Sequence, residues 1–347
     1  MNEKGEKSDM RHINIPIFIP HMGCPNMCVF CNQRSISGRM NFDISKVKNE
    51  IEEALSTTQN GDIIEIAFFG GSFTGIDREL MISLLSLAQS YIDVGRVSSI
   101  RLSTRPDYIN DEILDILSLY SVKTIELGLQ SMDDEVLEKS KRGHTSLCAE
   151  NACKMIKKRG FSLIGQMMIG LPNSTVEKEI YTAKKICKMG ANGARIYPTV
   201  VFYDTELCEM MQSGVYSPLS NEEAVERTKE ALKIFVENDV PCIRVGLQSG
   251  ENLSDETCVA GGANHSAIGE LSMSALYLDK ICEKIDEENL AKIPERMVIY
   301  CPKGDISKIV GQKRKNLEKI YQKYGIKNVK VLEKNELLSY NIIIDFN

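Results

Sequence analysis

The segment INIPIFIPHMGCPNMCVFC, residues 13–31, joins a strand-like apolar run directly to three closely spaced cysteines. Its first eight residues, INIPIFIP, are rich in isoleucine, as buried parallel strands are. Cys24, Cys28 and Cys31 then follow with the spacing C-x3-C-x2-C. Thiolates at this spacing can bind one soft metal centre, so we expect a metal site in the loop after the first strand.

Five more runs of this kind follow, and helical patterns separate them. The predicted strands are 63–69, 99–104, 122–129, 161–169 and 194–201. The predicted helices are 43–55, 77–92, 111–120, 145–160 and 175–190, and Asp43 is the expected N-cap of the first. Six successive βα units predict an α/β protein with a parallel sheet, either open or curled into a partial barrel. In both cases ligands bind at the carboxyl ends of the strands.

The pattern changes near residue 290. A helix over 221–239 and a glycine-rich turn over 261–269 precede that point. From residue 296 the order strand, helical pair, strand, strand predicts a small α+β domain. We therefore divide the chain into a short tail (1–12), the main α/β domain (13–250), a connecting turn and helix (251–290) and a C-terminal domain (291–347).

Composition indicates a globular protein, because 43% of the 347 residues are hydrophobic and 26% are charged. No apolar run reaches eighteen residues, and the charged start MNEKGEKSDM lacks the apolar region of a signal peptide. We expect a cytoplasmic protein without a membrane partner. In a reducing compartment the other eight cysteines are expected to be buried apolar residues rather than disulfides.

Charge is distributed unevenly along the chain. Residues 303–330 contain nine Lys or Arg and two acids, so this region has a charge of +7. The rest of the chain therefore carries −13, because the net charge of the whole chain is −6. Within this region IVGQKRKNLEKIYQKYG (309–325) resembles the helix–GxxG–helix of a KH module, with Gly311 at the first glycine and Arg314 in place of the second. That resemblance implies that Lys313, Arg314 and Lys315 meet nucleic-acid phosphates. An amphipathic helix with a basic face is the alternative.

The cysteine triplet itself allows two metal centres. A structural zinc site needs four closed ligands, and His21 could supply the fourth. A [4Fe–4S] cluster on three cysteines leaves one iron open, and Phe30 would shield such a cluster from water. We favour the cluster because of the spacing and the position after a strand.

With this triplet the chain resembles the radical S-adenosylmethionine (SAM) superfamily. The resemblance implies a partial (β/α)6 barrel similar to a TIM barrel, a [4Fe–4S] cluster and SAM as cosubstrate. It further implies that the open iron binds the amino and carboxylate groups of SAM, and that the reduced cluster cleaves SAM to a 5′-deoxyadenosyl radical. A flavodoxin or ferredoxin is the implied electron donor.

Further motifs occur in order, five of them at the ends of predicted strands and one, KRGHT, before a predicted helix. They are GGSFTG (70–75), STRPDY (103–108), ELGLQS (126–131), KRGHT (141–145), MMIGLP (167–172) and IYPTVV (196–201). This order most resembles the radical domain of the Elongator catalytic subunit and, more loosely, oxygen-independent coproporphyrinogen oxidases. The tail is too short for the acetyltransferase domain that the Elongator family carries, so we expect none here.

The resemblance implies a SAM site from these loops. Its expected members are Gly70, Gly71, Ser72, Arg105, Gln130, Ser131, Arg142 and Gly170, and His144 could line the same site. Simpler interpretations exist: a tight turn explains the two glycines, a salt-bridging loop explains Arg105, and a capping loop explains KRGHT.

Three functional hypotheses follow. The first is a radical SAM enzyme that modifies a nucleotide of tRNA or rRNA. The second is the same chemistry on a small molecule or tetrapyrrole, and the third is a zinc-stabilised RNA-binding protein without catalysis. Tyr197, His265 and Glu270 are the candidate catalytic residues, although the turn that carries His265 could simply cap a helix.

Overall fold

The computed structural model describes residues 11–19, 22–24, 28–32, 42–247, 257–288 and 292–346. Its centre is one parallel sheet that curls into a half-barrel. The first six strands of this sheet are β1 (His12–Ile19), β2 (Ile63–Gly70), β3 (Ser99–Thr104), β4 (Val122–Gln130), β5 (Ser162–Ile169) and β6 (Gly193–Pro198). The predicted fold class is therefore confirmed.

The sheet has a seventh strand beyond the six predicted. After the short strand β7 (Val200–Phe202), β8 (Cys242–Val245) pairs in parallel with β6 and completes the order β1-β2-β3-β4-β5-β6-β8. β7 instead pairs antiparallel with β9 (Val259–Gly262), and the two form a ribbon after the carboxyl end of β6. This ribbon divides the segment that the sequence predicts as one strand over 194–201.

Helices follow the strands, and most of them cover the outer face of the sheet. They are α1 (Ile44–Ser56), α2 (Arg78–Asp93), α3 (Asp111–Ser118), α4 (Asp134–Lys139), α5 (Ser146–Lys158), α6 (Val176–Lys188), α7 (Glu206–Gln212) and α8 (Asn221–Glu237). Asp43 caps α1 as predicted, since its Oδ1 accepts from the Ser45 backbone N–H over 3.0 Å.

Buried and more exposed residues alternate along the strands, so the two faces of the sheet differ. On β1, Ile15, Ile17 and Ile19 are buried in the main hydrophobic core beneath the helices. The intervening residues face the inside of the half-barrel, as the two-residue period of a strand requires. On that inner face several strands carry charged side chains, so the inside of the half-barrel is polar.

Helix α9 (Ile268–Glu287) connects the half-barrel to the C-terminal domain. Leu276 packs in the main core, whereas Tyr277 belongs to a second hydrophobic core. That second core lies under a three-stranded sheet of order β11-β10-β12. The elements of this domain are β10 (Met297–Cys301), α10 (Ile306–Val310), α11 (Lys315–Tyr324), β11 (Val329–Glu333) and β12 (Ile343–Phe346).

The C-terminal order of strand, two helices, strand, strand agrees with the prediction. β10 pairs in parallel with β11 and antiparallel with β12. Among the residues that the structure describes, no helix has the length and hydropathy needed to cross a membrane.

Candidate cluster and cosubstrate site

The cysteine loop and the glycine turn after β2 are packed backbone against backbone. A Cβ on Gly71 would lie 2.1 Å from the carbonyl oxygen of Met22, and one on Gly23 would lie 2.2 Å from that of Ser72. Only glycine permits such an approach. The Ser72 N–H also donates to Met22 O over 3.2 Å, and Gly70 has a positive φ of 112°. The turn therefore fixes the path of the chain that leads into Cys24.

Neighbouring segments hold the rest of the cysteine loop. The Val29 N–H donates to Ser140 O over 3.3 Å, and Val29 O accepts from the Leu207 N–H over 2.8 Å. Phe30 packs against a small apolar cluster that includes Val29 and Tyr216. Cys28 is buried, whereas Cys24 and Cys31 are partly exposed. The loop thus holds its thiols at the carboxyl end of β1, between α4 and α7.

A hydroxyl network lies beside this turn. Ser72 Oγ and Thr104 Oγ1 are 2.7 Å apart, and Thr104 Oγ1 is 2.6 Å from Thr74 Oγ1. Ser72 Oγ also accepts from the Arg105 backbone N–H over 3.3 Å. Ser72 is completely buried, so its side chain joins the ends of β2 and β3.

Two buried arginines meet at the sulfur of Cys28. Arg142 Nη1 donates to Cys28 Sγ over 3.2 Å, and Arg105 Nη1 lies 3.9 Å from the same sulfur. Arg142 Nη2 also donates to Gly128 O at 2.7 Å. The two guanidinium groups therefore place positive charge beside this sulfur, which suits an anionic metal centre.

The charges of the same two arginines also act on Cys24. Burial raises the pKa of the Cys24 thiol, while the positive charges of Arg105 and Arg142 act to lower it. Nearby Cys28 raises it further through repulsion between the two thiolates. The two cysteines are therefore close enough to interact, and the arginines offset part of the cost of their charge.

Asp107 and His144 complete the surroundings of Arg105. Arg105 Nε and Nη2 each donate to a carboxylate oxygen of Asp107 over 2.9 Å, and Nη2 also donates to Arg142 O. His144 Nδ1 lies 4.0 Å from Asp107. Burial, together with the nearby charge of Arg142, lowers the pKa of His144 to about 4, so the imidazole is neutral at pH 7.

Gln130 and Ser131, two expected members of the SAM site, lie at the end of β4. Gln130 has a left-handed φ of 66° next to an irregularity in the β4–β5 pairing, and its Oε1 accepts from Gln166 Nε2 over 3.3 Å. A non-glycine residue in this conformation is uncommon and often marks a functional site. Ser131 is buried, and its Oγ accepts from the Asp133 N–H over 3.1 Å.

Gly170 lies apart from the thiols, at the end of β5. It lines a cavity of about 190 Å³ between the loop after β5 and residues 215–219. Its N–H donates to Glu179 Oε1 over 2.7 Å and its carbonyl accepts from the Tyr216 hydroxyl over 2.7 Å. Because Tyr216 also packs with Phe30, this cavity borders the cysteine loop.

The donor set and charge of the site fit an anionic iron–sulfur centre. Arg142 Nε is buried without a hydrogen-bond partner, and Arg142 has no carboxylate within ion-pair distance among the described residues. The described residues contain no group of three His, Cys, Asp or Glu side chains that could hold a single metal ion. Thiolates of a [4Fe–4S] cluster bind different iron atoms and need not meet at one point. His21, the possible fourth zinc ligand, lies outside the described residues.

Comparison with known families agrees with these features. The family model of the Radical SAM superfamily matches residues 18–186, and that of the Radical_SAM C-terminal domain matches residues 191–280. The chain belongs to the radical SAM superfamily. The first match spans β1 to α6 and includes the three cysteines, so the expected resemblance is confirmed.

Relatives of this radical SAM protein include a tRNA-modifying enzyme. An uncharacterised protein of Methanocaldococcus jannaschii is 29% identical over 63% of the chain and 71% of its own length. The tRNA uridine(34) acetyltransferase of the same organism is 27% identical over 74% of the chain. The chain spans about half the length (54%) of that acetyltransferase.

A solved Elongator-type structure shares the radical SAM fold of this chain. Elp3 of Methanocaldococcus infernus, with an N-terminal deletion, superposes with a TM-score of 0.60 at 21% identity. The superposition covers 82% of this chain and 65% of that one. At this identity the likeness shows the fold.

Four charged residues inside the radical SAM half-barrel escaped the sequence analysis. Arg101 bridges two buried carboxylates, because its Nη2 is 2.8 Å from Glu65 and its Nη1 is 2.9 Å from Glu126. Glu126 also pairs with Arg195 at 2.8 Å, and Arg195 Nη1 donates to the Tyr197 hydroxyl over 3.1 Å. The signal was present, since four of the six predicted strands carry at least one charge within an apolar run.

The candidate catalytic residues are not gathered at the thiols. Tyr197 lies on the inner face of β6, next to Arg195. His265 Nδ1 accepts from the Ala267 N–H over 3.0 Å just before α9, as a capping residue does. Glu270 lies in the first turn of α9.

The basic loop of the C-terminal domain, from Gly311 to Lys315, is distant in sequence from the three cysteines. Its backbone geometry is unusual. Gly311 has a φ of 76°, and a Cβ there would lie 2.9 Å from Asn316 Cγ. Lys313 and Arg314 both adopt left-handed conformations, with φ of 53° and 64°. Arg314 therefore has the backbone that a glycine at its position would favour. Asn316 anchors the loop, since its Nδ2 donates to Ser274 O over 3.0 Å.

Proposed function

We propose that this protein is a radical SAM enzyme that modifies a nucleotide of tRNA. Cys24, Cys28 and Cys31 hold a [4Fe–4S] cluster, and SAM occupies the iron that they leave open. The convergence of Arg105 and Arg142 on Cys28 carries this proposal, because it gives a buried thiol the positive surroundings that an anionic centre needs. When bound, the cluster and SAM supply the 5′-deoxyadenosyl radical.

The residues at the strand ends bind and orient SAM. The glycine turn at Gly70, Gly71 and Ser72 sets the cysteine loop, and its backbone would meet the methionine amino group. The buried Nε of Arg142 lacks a partner, so it can donate to the methionine carboxylate. Arg105 supports it from the other side. Held in a water-poor site, these groups make the ionic contacts stronger than they would be in solution.

The adenosine part of SAM is assigned to the next two strands. Gln130 and Ser131 at the end of β4 are the proposed ribose partners. Gly170 at the end of β5 lines the cavity of about 190 Å³, where the adenine would pack against its backbone. Phe30 packs beside the same region and excludes water from the cluster.

Tyr197 is the favoured residue for substrate contact among the three catalytic candidates. Its hydroxyl accepts from Arg195, which leaves its own proton to be donated into the half-barrel. His265 carries its proton on Nε2, because Nδ1 accepts from a backbone N–H. Both it and Glu270 stand near the start of α9, at the end of the β7–β9 ribbon.

The RNA substrate is supported by the relatives and by the basic loop. Two of the relatives described by function are tRNA uridine(34) acetyltransferases. Lys313, Arg314 and Lys315 are exposed, and the N-cap of α11 has no side-chain hydrogen bond. Three exposed cations at the start of a helix suit a phosphate backbone. A KH-like contact of Gly311 and these cations with RNA follows.

The enzyme would work in the cytoplasm and would draw electrons from a flavodoxin or ferredoxin. An anaerobic test separates the hypotheses. The reconstituted protein is expected to contain iron and sulfide and to release 5′-deoxyadenosine from SAM under reduction. The Cys28→Ala variant should lose both properties, whereas Cys148→Ala, which changes a partly exposed cysteine outside the triplet, should keep them.

The substrate is tested separately in cells. Mass analysis of tRNA nucleosides should find a modification that disappears when the gene is deleted and returns with the wild-type copy. Cleavage of SAM without any change in tRNA would favour the small-molecule or tetrapyrrole hypothesis. One zinc per chain and no iron would instead contradict the enzyme and favour the zinc-stabilised RNA-binding protein.

A further inference from the structure

Cys28 differs from a thiol in ordinary surroundings because a hydrogen bond and two cations act on its sulfur. Arg142 Nη1 donates to Sγ over 3.2 Å and Arg105 Nη1 lies 3.9 Å away. All three residues are buried, with Arg105 only 3% exposed and Arg142 6% exposed. Buried charges are screened little by salt, so dissolved ions do little to weaken either charge at the sulfur.

Other contacts hold the two guanidinium groups in place. Arg142 Nη2 donates to Gly128 O over 2.7 Å, and the Arg142 N–H donates to Leu137 O over 2.9 Å. Arg105 is fixed by its two hydrogen bonds to Asp107 and by another to Arg142 O. Arg105 cannot turn away from Cys28 without breaking these three bonds, and Arg142 cannot turn away without breaking its bond to Gly128 O.

The two charges are not equivalent. Asp107 offsets most of the charge of Arg105, whereas Arg142 has no carboxylate within ion-pair distance among the residues described. His144 adds no positive charge at pH 7, because it is neutral there. Arg142 therefore supplies most of the net positive potential at the Cys28 sulfur.

One-electron reduction of an iron–sulfur cluster adds one negative charge, which spreads onto its sulfur ligands. A fixed positive charge and a hydrogen bond at a ligand sulfur stabilise the reduced form more than the oxidised form. We propose that Arg142, with Arg105 behind it, raises the reduction potential of the cluster through Cys28. This inference rests on the proposed function, since it requires the cluster.

The inference is tested by redox titration of the cluster alone, without SAM or RNA. Anaerobically reconstituted protein is titrated with dithionite and mediators, and the reduced cluster is followed by its electron paramagnetic resonance signal and by visible absorbance. The variants are Arg142→Gln, Arg142→Lys and Arg105→Gln. Arg159→Gln serves as the control, because it removes the same charge from an exposed ion pair with Asp111.

The variants should shift the midpoint in a set order. In Arg142→Gln the ratio of reduced to oxidised cluster at a fixed potential should fall about tenfold, which is about 59 mV for a one-electron couple. Arg105→Gln should shift the midpoint less in the same direction, because Asp107 already offsets that charge. Arg142→Lys should lie between Arg142→Gln and wild type, and Arg159→Gln should match wild type.

Iron and sulfide analysis of each variant separates this inference from the proposed function. If the wild-type protein forms no [4Fe–4S] cluster, the proposed function fails and this inference fails with it. If the clusters form with equal iron content and Arg142→Gln keeps the wild-type midpoint, only the inference is overturned. If Arg142→Gln binds no cluster, the midpoint potentials of Arg105→Gln and Arg142→Lys test the inference instead. Wild-type midpoints in both of these variants overturn it.

Discussion

Gly71 and Met22 touch so closely that a Cβ on the glycine would lie 2.1 Å from the methionine carbonyl oxygen. Gly71→Ala should therefore push the cysteine loop away from the end of β2 and cost about 1–3 kcal/mol of stability. The variant is expected to bind much less iron after anaerobic reconstitution. Iron per chain and the melting temperature of the apoprotein measure the two effects.

Gly61→Ala is the matched control for that change. Gly61 has a positive φ of 96° but open space where its Cβ would lie. Its replacement should cost about 1 kcal/mol through backbone strain alone and leave iron binding intact. Equal iron loss in both variants would contradict the steric explanation.

The second prediction concerns the charged residues inside the half-barrel. Glu126 binds both Arg101 and Arg195, and its side chain is 2% exposed. Glu126→Gln leaves two buried arginines short of their shared partner, so we expect a loss of about 3–5 kcal/mol in the free energy of unfolding. Urea unfolding of the apoprotein measures it.

The control for Glu126 is an exposed acid. Glu112→Gln breaks an ion pair with Arg78 in which the Glu112 side chain is 71% exposed. Surface pairs of this kind contribute about 0–1 kcal/mol, so this variant should unfold almost as wild type does. A small effect of Glu126→Gln would show that the inner charges are compensated by water instead.

The third prediction is a pH dependence. The pKa of His144 is lowered to about 4 by burial, with the charge of Arg142 adding to the effect, whereas an unfolded histidine titrates near its ordinary 6.5. As the pH falls from about 7.5 to 4.5, the unfolded chain therefore binds a proton that the folded chain does not. Stability should fall by about 2–3 kcal/mol from this residue alone.

His144→Gln removes this contribution. Urea unfolding of the apoprotein at the two pH values should give a smaller difference for the variant than for wild type. Identical differences in the two proteins would mean that His144 is protonated in the folded state as easily as in the unfolded chain.

The fourth prediction addresses the basic loop. Lys313, Arg314 and Lys315 changed together to Ala should weaken tRNA binding and reduce the dependence of log Kd on log salt by about two units. Filter binding over a salt series measures both. The charge-matched control changes Lys154, Lys158 and Lys184, which are exposed on α5 and α6, and should leave the slope unaltered.

The fifth prediction separates strain from charge in the same loop. Arg314 adopts a left-handed φ of 64°. Arg314→Gly should stabilise the apoprotein by about 1 kcal/mol, because glycine carries no penalty there, while tRNA binding weakens by one phosphate contact. Loss of stability would show that the side chain holds the loop.

The sequence was most informative where the chemistry is local. The strands follow from their apolar runs, and the cysteine spacing together with the GGSFTG turn predicted where the loop of the three cysteines lies. A single charge inside a predicted strand, such as Glu126, did not identify a site in the sequence. Its partner charges lie on different strands, so no local pattern connects them. The meeting of Arg105 and Arg142 at Cys28 joins three distant segments, so only the three-dimensional structure brings them together.

The seventh strand was missed for a related reason. β8 is only four residues long and follows a long helix, so nothing local distinguishes it from a loop. Its register with Arg195 and Ile196 on β6 depends on the curl of the whole sheet. Sheet closure is a property of all the strands together, and no single segment encodes it.

Successive residues of α9 serve different hydrophobic cores, Leu276 that of the half-barrel and Tyr277 that of the C-terminal domain. Tyr340 stacks on Tyr277 with ring centroids 5.2 Å apart and packs against both cores. Removal of either the half-barrel or the C-terminal domain would expose one apolar face of α9 to water. The half-barrel and the C-terminal domain should consequently melt in a single cooperative transition, and a truncation between them should leave insoluble fragments.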